Sequence, residues 1–175
     1  MVEFDDIGVK ALDHLKRNWA LVGAGSIDDF NCCTISWGSF GVLWGKGTVA
    51  TVYIHPSRYT LGFLEREDYF VISLFGKEYQ KALGILGSLS GRDGDKVSVS
   101  GLTPISWKGA VTYREASISL LCKKLYGGQF DKGGLSEEVN ELYRSKPSVY
   151  PVAGNGDIEP HYEFIGEVVD VLYGE

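Results

Sequence analysis

The stretch NCCTISWGSFGVLWG, residues 31–45, is not rich in valine and isoleucine, as an ordinary buried strand would be. Hydroxyl groups and an indole, from Thr34, Ser36 and Trp37, stand instead beside three glycines. Hydroxyl and indole side chains next to glycines are typical of a strand that presents polar groups to a bound molecule. The rest of the sequence can be analysed for a partner that needs such a strand.

Composition bounds the class of protein. The chain has 175 residues, of which 44% are hydrophobic, and this predicts one globular domain over residues 1–175. The 23 glycines and 13% aromatic residues favour a β-rich fold with tight turns. The net charge of -6 argues against nucleic acid as a partner.

The cysteine pattern and the N-terminal sequence allow predictions about the protein's cellular location and about metal binding. Cys32, Cys33 and Cys122 are odd in number and form no CxxC pair, so we expect neither a disulfide framework nor a metal site. The acidic start MVEFDDIGVKALDHL lacks the apolar run of a signal peptide. No apolar stretch approaches the ~20 residues that span a bilayer. These features predict a cytoplasmic protein with no membrane partner.

Hydrophobic periodicity predicts more strands than helices. In GTVATVYIHP, for example, Ala50, Val52 and Ile54 alternate with bulkier or polar neighbours. The predicted strands cover residues 19–26, 32–37, 47–56, 69–75 and 161–174, with one or two more inside 112–128. The predicted helices cover residues 6–18, 57–67, 78–91 and 135–145. The strands do not alternate regularly with helices, which favours an antiparallel barrel with helices at its rims.

The sequence matches the familiar nucleotide- and metal-binding motifs only incompletely. GAGSID begins like GxGxxG, but Asp28 stands at the third glycine. GVLWGK is one residue short of a P-loop, and DGD lacks the glutamate of a calcium loop. The sequence has no GxSxG element.

Three clusters match the needs of flavin mononucleotide (FMN). Its phosphate needs hydroxyls, backbone N–H groups and a cation, and its ring needs a flat wall and backbone donors. The clusters are the strand at residues 31–37, the strand end HPSRYT at 55–60, and the loop GSLSGRDGDK at 87–96. We expect them to converge on one phosphate.

The same segments carry a resemblance. TISWG, TVYIHPSRYT, YFVISLF, KALGILGSLSGRDGDK, CKKLYGGQF and HYEFIGEV together resemble the flavin reductase-like, FMN-binding split-barrel family, including its flavoredoxin group, over roughly residues 15–174. The resemblance implies a Greek-key antiparallel split β-barrel, mainly β with peripheral helices. It also implies a homodimer with FMN near the subunit interface and NADH or NADPH as a possible electron donor.

The resemblance also implies site residues. Thr34, Ser36 and Trp37 would line the flavin, while Arg58, Tyr59 and Thr60 would approach the phosphate and ribityl chain. The full set of expected cofactor-binding residues is Asn31, Cys33, Thr34, Ile35, Ser36, Trp37, Arg58, Tyr59, Thr60, Ser90, Gly91 and Arg92. Position 33 is often methionine in such sequences, and the thiol here is expected to pack. No side chain is assigned as a catalytic acid or base, and His161 is expected at a strand start.

Three functions stay open on the sequence. The first is an FMN reductase that passes electrons from NAD(P)H to free flavin, a partner oxygenase or another acceptor protein. The second is a flavoredoxin-like FMN carrier without NAD(P)H activity, since no nicotinamide-binding motif is recognisable. The third is a barrel that binds haem, another ligand or only a protein partner.

Overall fold

The computed structural model describes residues 14–174. Strands dominate this part of the chain, and they are listed here in chain order. They are β1 (Ala20–Ser26), β2 (Asp29–Ile35), β3 (Gly38–Val42), β4 (Thr48–Ile54), β5 (Tyr69–Leu74), β6 (Pro104–Trp107), β7 (Ala110–Tyr113), β8 (Ile118–Gln129) and β9 (Tyr162–Tyr173). The α-helices are α1 (Thr60–Arg66), α2 (Gln80–Ser88), α3 (Lys96–Ser100) and α4 (Glu137–Ser145).

Seven strands form one sheet in the order β2-β1-β5-β8-β9-β4-β3. Each pair of neighbours runs antiparallel, and the order departs from chain order as Greek-key connections require. The two edge strands, β2 and β3, are consecutive in the chain and joined only by Ser36 and Trp37. A link of two residues holds the opposite edges close, so the sheet curls into a barrel that stays split there. This confirms the predicted fold class.

The strands form where hydrophobic alternation specifies an inner face. In β4, Ala50, Val52 and Ile54 are buried, while Thr51 and Tyr53 on the other face are half-buried. The inward set joins Val22, Ile72, Leu120 and Phe164 in the main core. With Cys33 and Ile35 of β2, the barrel interior is filled by buried side chains from six strands.

A second core lies outside the barrel, under α2. The helix buries Ala82, Leu83 and Leu86, the face that its sequence predicts, against Leu21 and Phe75. This packing fixes the C-terminal end of α2 and the loop that follows it.

Helix boundaries differ from the predictions near the loop at 87–96. The predicted helix 78–91 is α2 preceded by a 3₁₀ turn at Lys77–Tyr79, and it ends at Ser88. A short helix, α3, follows this loop at Lys96–Ser100, where no helix was predicted. Asp95 starts it, because its carboxylate accepts from the backbone N–H groups of Val97 and Ser98.

Two strand features were missed in the sequence. β3 contains two glycines, which weaken strand propensity, and it forms because β4 offers it a partner. The β6–β7 hairpin was also not expected; it packs against β1 and β5. Of the predicted helix 6–18, residues 14–18 form a π-helical turn and residues 6–13 lie outside the described residues.

Two other boundaries follow the predictions closely. The helix expected at 135–145 is α4, and the Ser136 hydroxyl caps it by accepting from the Val139 N–H at 3.4 Å. The closing strand expected at 161–174 is β9. Within residues 14–174, no helix combines the length and apolar character needed to cross a membrane.

A substitution at Gly166 tests how tightly the barrel core is packed. A Cβ at this position of β9 would lie 2.6 Å from Phe70 Cε1 and 2.8 Å from Cys122 Cβ, so Gly166→Ala forces the core apart. We expect the free energy of unfolding to fall by about 1–3 kcal/mol, measured by urea denaturation.

Gly84→Ala is the matched control. A Cβ there meets no atom within 4 Å in the interior of α2, so the same added methyl is expected to stabilise the protein by roughly 0.5–1 kcal/mol. Equal effects of the two variants would contradict the packing described here.

Candidate functional site

A cleft opens where the barrel is split. Residues 33–37, from β2 and the link to β3, form one wall, and residues 53–55 with Arg58 form the second. The third wall consists of Val149, Tyr150 and His161, from the segment between α4 and β9. The cleft has a volume of about 160 Å³.

A smaller compartment adjoins the cleft, and Cys33 and Arg58 line both. Its other walls come from residues 57–60 and from residues 86–91, with Lys96. The HPSRYT and GSLSGRDGDK segments therefore meet beside the polar strand, as the sequence predicts.

Hydrogen bonds to the end of α2 hold two of these side chains in place. The Arg58 guanidinium donates from Nη1 to the Gly87 carbonyl at 3.0 Å. The Thr34 hydroxyl donates to the Leu83 carbonyl at 2.6 Å. A Cβ on Gly87 would lie 3.1 Å from Thr34 Cβ, so α2 approaches β2 closely at this glycine.

The start of α1 is tied to β2 by a buried contact. The Thr60 hydroxyl donates to Asn31 Oδ1 at 2.8 Å, and both side chains are buried. Tyr59 occupies the N-cap position of this helix, and no side chain forms a capping hydrogen bond there. The Thr60 hydroxyl is already engaged with Asn31.

Lys96 is a buried cation at the base of the smaller compartment. Its side chain is 5% exposed, and Nζ donates to the carbonyls of Leu86 at 3.2 Å and Leu89 at 3.4 Å. Within residues 14–174, no carboxylate forms an ion pair with it. A buried charge with only dipolar partners is costly, and an anion near Lys96 and Arg58 would lower that cost.

Five aromatic rings cluster on the far side of the cleft. The His161 ring centroid lies 4.9 Å from that of Trp37, 5.1 Å from His55 and 5.6 Å from Tyr150. Tyr143 completes the cluster at 5.1 Å from Tyr150. The rings of these pairs are tilted or edge-on to one another and give the cleft an aromatic side.

Hydrogen bonds hold both histidine rings in place. The Tyr143 hydroxyl is hydrogen-bonded to His161 Nδ1 at 2.5 Å and accepts from the His161 backbone N–H at 3.1 Å. The Ser57 N–H donates to His55 Nδ1 at 3.2 Å. Because a backbone N–H can only donate, Nδ1 of His55 is the acceptor, so the proton of this neutral imidazole is on Nε2.

Burial keeps both rings uncharged near neutral pH. Desolvation lowers the pKa of His161 to about 4, and His55 and Arg58 add to the effect. Desolvation and the positive charge of Arg58 lower the pKa of His55 to about 4, against a weaker opposing effect of the Glu159 backbone carbonyl. The two histidines of the cleft wall therefore add no charge near neutral pH.

Most expected site residues line the two compartments. Lining residues among them are Cys33, Thr34, Ile35, Ser36, Trp37, Arg58, Tyr59, Thr60, Ser90 and Gly91. Arg92 lines neither; it donates from Nη1 to the Ser57 carbonyl at 3.1 Å and lies 4.9 Å over the Tyr59 ring. Asn31 also lines neither, since its side chain is engaged with Thr60.

Sequence reasoning missed the third wall. Val149 and Tyr150 lie in a segment with no periodic pattern, and nothing near them in sequence points to the cleft. His55 and Lys96 stood inside quoted clusters, but only their burial distinguishes them from surface residues. His161 does precede β9 directly, as expected, yet it lies in the cleft wall.

The two joined compartments combine complementary chemistry. One is small, cationic and rich in hydroxyls, and the other is a cleft with an aromatic side. This combination suits a ligand that carries a phosphate group on a planar ring. The chain belongs to the flavin reductase-like domain family, whose model matches residues 12–175.

Solved structures share the fold. An FMN-binding protein from Thermus thermophilus with bound 1-cyclohex-2-enone is 22% identical, with a TM-score of 0.65 over 89% of this chain and 69% of that chain. Flavoredoxin of Desulfovibrio vulgaris (Miyazaki F) is 21% identical, with a TM-score of 0.63 over 90% of this chain and 69% of that chain. Nitrilotriacetate monooxygenase component B from Bacillus cereus is 16% identical, with a TM-score of 0.65 over 100% of this chain and 82% of that chain. No curated protein matches this chain significantly.

The buried histidines predict a specific pH dependence of stability. Their pKa values fall from 6.5 to about 4 on folding, so between these limits the unfolded state binds more protons. Stability is then lost as pH falls from about 6.5 towards 4, by roughly 1–2 kcal/mol for each histidine at pH 5. Urea denaturation at pH 7.5 and pH 5 measures the loss.

The variant His161→Gln separates the stability lost through histidine protonation from the stability lost through carboxylate titration. The variant has one fewer titrating ring, so its free energy of unfolding should fall less steeply between the two pH values, whatever its absolute stability. Parallel pH profiles for the two proteins would show that His161 is not buried as a neutral ring.

Proposed function

We propose that the chain binds FMN across the two compartments and acts as an oxidoreductase of the flavin reductase type. The observation that carries the proposal is the junction at Cys33 and Arg58, where a cationic compartment opens into an aromatic cleft. The buried, unpaired charge of Lys96 fits a phosphate, and the ring-walled cleft fits a planar heterocycle.

The proposed phosphate contacts are those of the smaller compartment. Arg58 and Lys96 supply positive charge, and Ser90, whose hydroxyl accepts from the Arg92 N–H, supplies a hydroxyl donor. Gly91 allows its backbone close to neighbouring side chains, since a Cβ there would lie 2.1 Å from Asn31 Nδ2. Arg92 stands at the rim, where it covers Tyr59.

The proposed ring contacts are those of the cleft. Residues 34–37 bring hydroxyls and backbone groups to one side, and the His55 and His161 rings supply neutral walls. When bound, FMN supplies the hydride chemistry, so the chain needs no strong acid or base. Its residues would orient the ring, and hydroxyl and backbone groups of Ser36 and Trp37 would offer donors that stabilise negative charge.

The reaction that we propose takes electrons from NADH or NADPH to free flavin or another acceptor. The component B neighbour is named for a monooxygenase, which supports an oxygenase as a partner. The flavoredoxin neighbours support the second candidate, an FMN electron carrier without NAD(P)H activity. We further propose a homodimer and a cytoplasmic location, for which the three buried, unpaired thiols suit a reducing compartment.

Arg58 provides the first test. Arg58→Ala should weaken FMN binding by roughly 1.5–3 kcal/mol, because it removes a charge-assisted contact to phosphate, while riboflavin binding changes little. Fluorescence titration of the apo-protein with both flavins measures the two affinities.

Arg66→Ala is the control, because this exposed arginine of α1 pairs with Asp29 and Glu67 away from the cleft. An FMN affinity unchanged in Arg58→Ala would remove Arg58 from the site. A wild-type protein that takes up no FMN would refute the proposed function.

Anaerobic mixing separates the two candidate functions. A reductase loaded with FMN should lose its absorbance near 450 nm within seconds of adding NADH or NADPH, because the donor reduces the bound flavin. Persistent yellow colour with both donors, followed by bleaching with dithionite, would support the carrier instead.

A further inference from the structure

The cleft proposed for the flavin ring is small, and the sheet holds two of its walls. Its volume of about 160 Å³ lies below the roughly 300–1,000 Å³ of pockets that hold ligands of drug size. Residues 33–35 of β2 pair with β1, and residues 53 and 54 of β4 pair with β9, so these two walls are fixed by backbone hydrogen bonds. A flavin ring therefore enters only if the third wall moves.

The third wall is built on a segment without helix or strand. We call residues 147–157 the strap; they follow α4, and β9 begins only at Tyr162. Val149 and Tyr150 are the strap residues that line the cleft. Because the strap pairs with no strand, it can shift without breaking the sheet.

Few bonds tie the strap to the rest of the protein. The N–H groups of Val149 and Tyr150 donate to the Lys146 carbonyl, just after α4, at 2.9 Å and 2.8 Å. Across residues 14–174, the strap's other polar bond to an outside residue is the ion pair of Asp157 with Lys132, at 2.7 Å. These side chains are 60% and 45% exposed, so water screens the pair and it stabilises the closed strap only weakly.

Tyr150 closes the cleft between the two fixed walls. Its ring centroid lies 5.9 Å from that of Trp37 on one wall and 5.9 Å from that of His55 on the other. The side chain is half-buried, and its hydroxyl makes no hydrogen bond within the described part of the chain. Contacts between rings alone hold this side chain in the cleft, and a flavin ring would compete for the same aromatic faces.

We propose that Tyr150 controls access to the cleft: the strap moves away to admit the flavin ring and then returns to cover it. This inference rests on the proposed function, because the ligand is taken to be a flavin. A residue that only contacts a ligand changes mainly the dissociation rate when it is replaced. A residue that covers the site changes association and dissociation together, because the cover must open for both steps.

Tyr150→Ala tests the inference through the two rate constants of riboflavin, which carries the ring without the phosphate. Stopped-flow fluorescence of the apo-protein measures both. In wild type the observed association rate should level off at high riboflavin, because opening becomes limiting. In Tyr150→Ala both rate constants should rise by roughly fivefold or more, since the cover is gone. Tyr173→Ala is the matched control, because this tyrosine is 61% exposed at the far end of β9; its rates should equal those of wild type.

The reaction of Cys33 with N-ethylmaleimide measures opening without any flavin. Cys33 lines the cleft and is 4% exposed, while Cys122 lies fully buried in the barrel core and reports on unfolding. Peptide mapping by mass spectrometry gives the labelling rate of each thiol. Cys33 should react about fivefold faster or more in Tyr150→Ala than in wild type, with the Cys122 rate unchanged. Tyr173→Ala should change neither rate.

Two outcomes would overturn the inference: equal Cys33 labelling in Tyr150→Ala and wild type, or a rise of the riboflavin dissociation rate alone. Failure of the proposed function looks different, because then neither riboflavin nor FMN binds to wild type. The labelling of Cys33 still tests the strap in that case.

Discussion

The two-residue connection between β2 and β3 is the constraint on which the rest depends. These strands lie at opposite edges of a seven-stranded sheet, and Ser36 and Trp37 alone join them. The sheet must curl to satisfy this link, and its inner face becomes the main core. The cleft forms at the same place, because a closed seam with regular pairing would leave no room for a ligand.

Charge placement follows from that geometry. Curling brings the end of β4 and the end of α2 to the same side of β2, and Arg58 reaches the Gly87 carbonyl. Lys96 is then buried under the loop between α2 and α3, and its partners among residues 14–174 are backbone carbonyls. Carbonyl dipoles compensate a buried ammonium less well than an anion does, so the protein holds a site that favours negative charge.

The aromatic wall on the other side of the cleft carries no charge near neutral pH. His55 and His161 are buried among aromatic rings, and desolvation keeps both neutral. Tyr143 orients His161 through two hydrogen bonds, so the wall keeps one arrangement of donors and acceptors. A planar ligand would thus meet cations at one end and neutral rings at the other, which fixes its orientation.

The sequence by itself determined the strands with strong alternation, the amphipathic faces of α2 and α4, and the three polar clusters, because these depend on local periodicity and residue type. Only the tertiary structure decided that Asn31 holds Thr60, that Arg92 stands at the rim, and that Val149 and Tyr150 close the cleft. The β3 strand likewise exists because β4 is available to pair with it. The physical reason is that strand order and barrel closure bring distant residues together, and no short-range pattern encodes which of them meet.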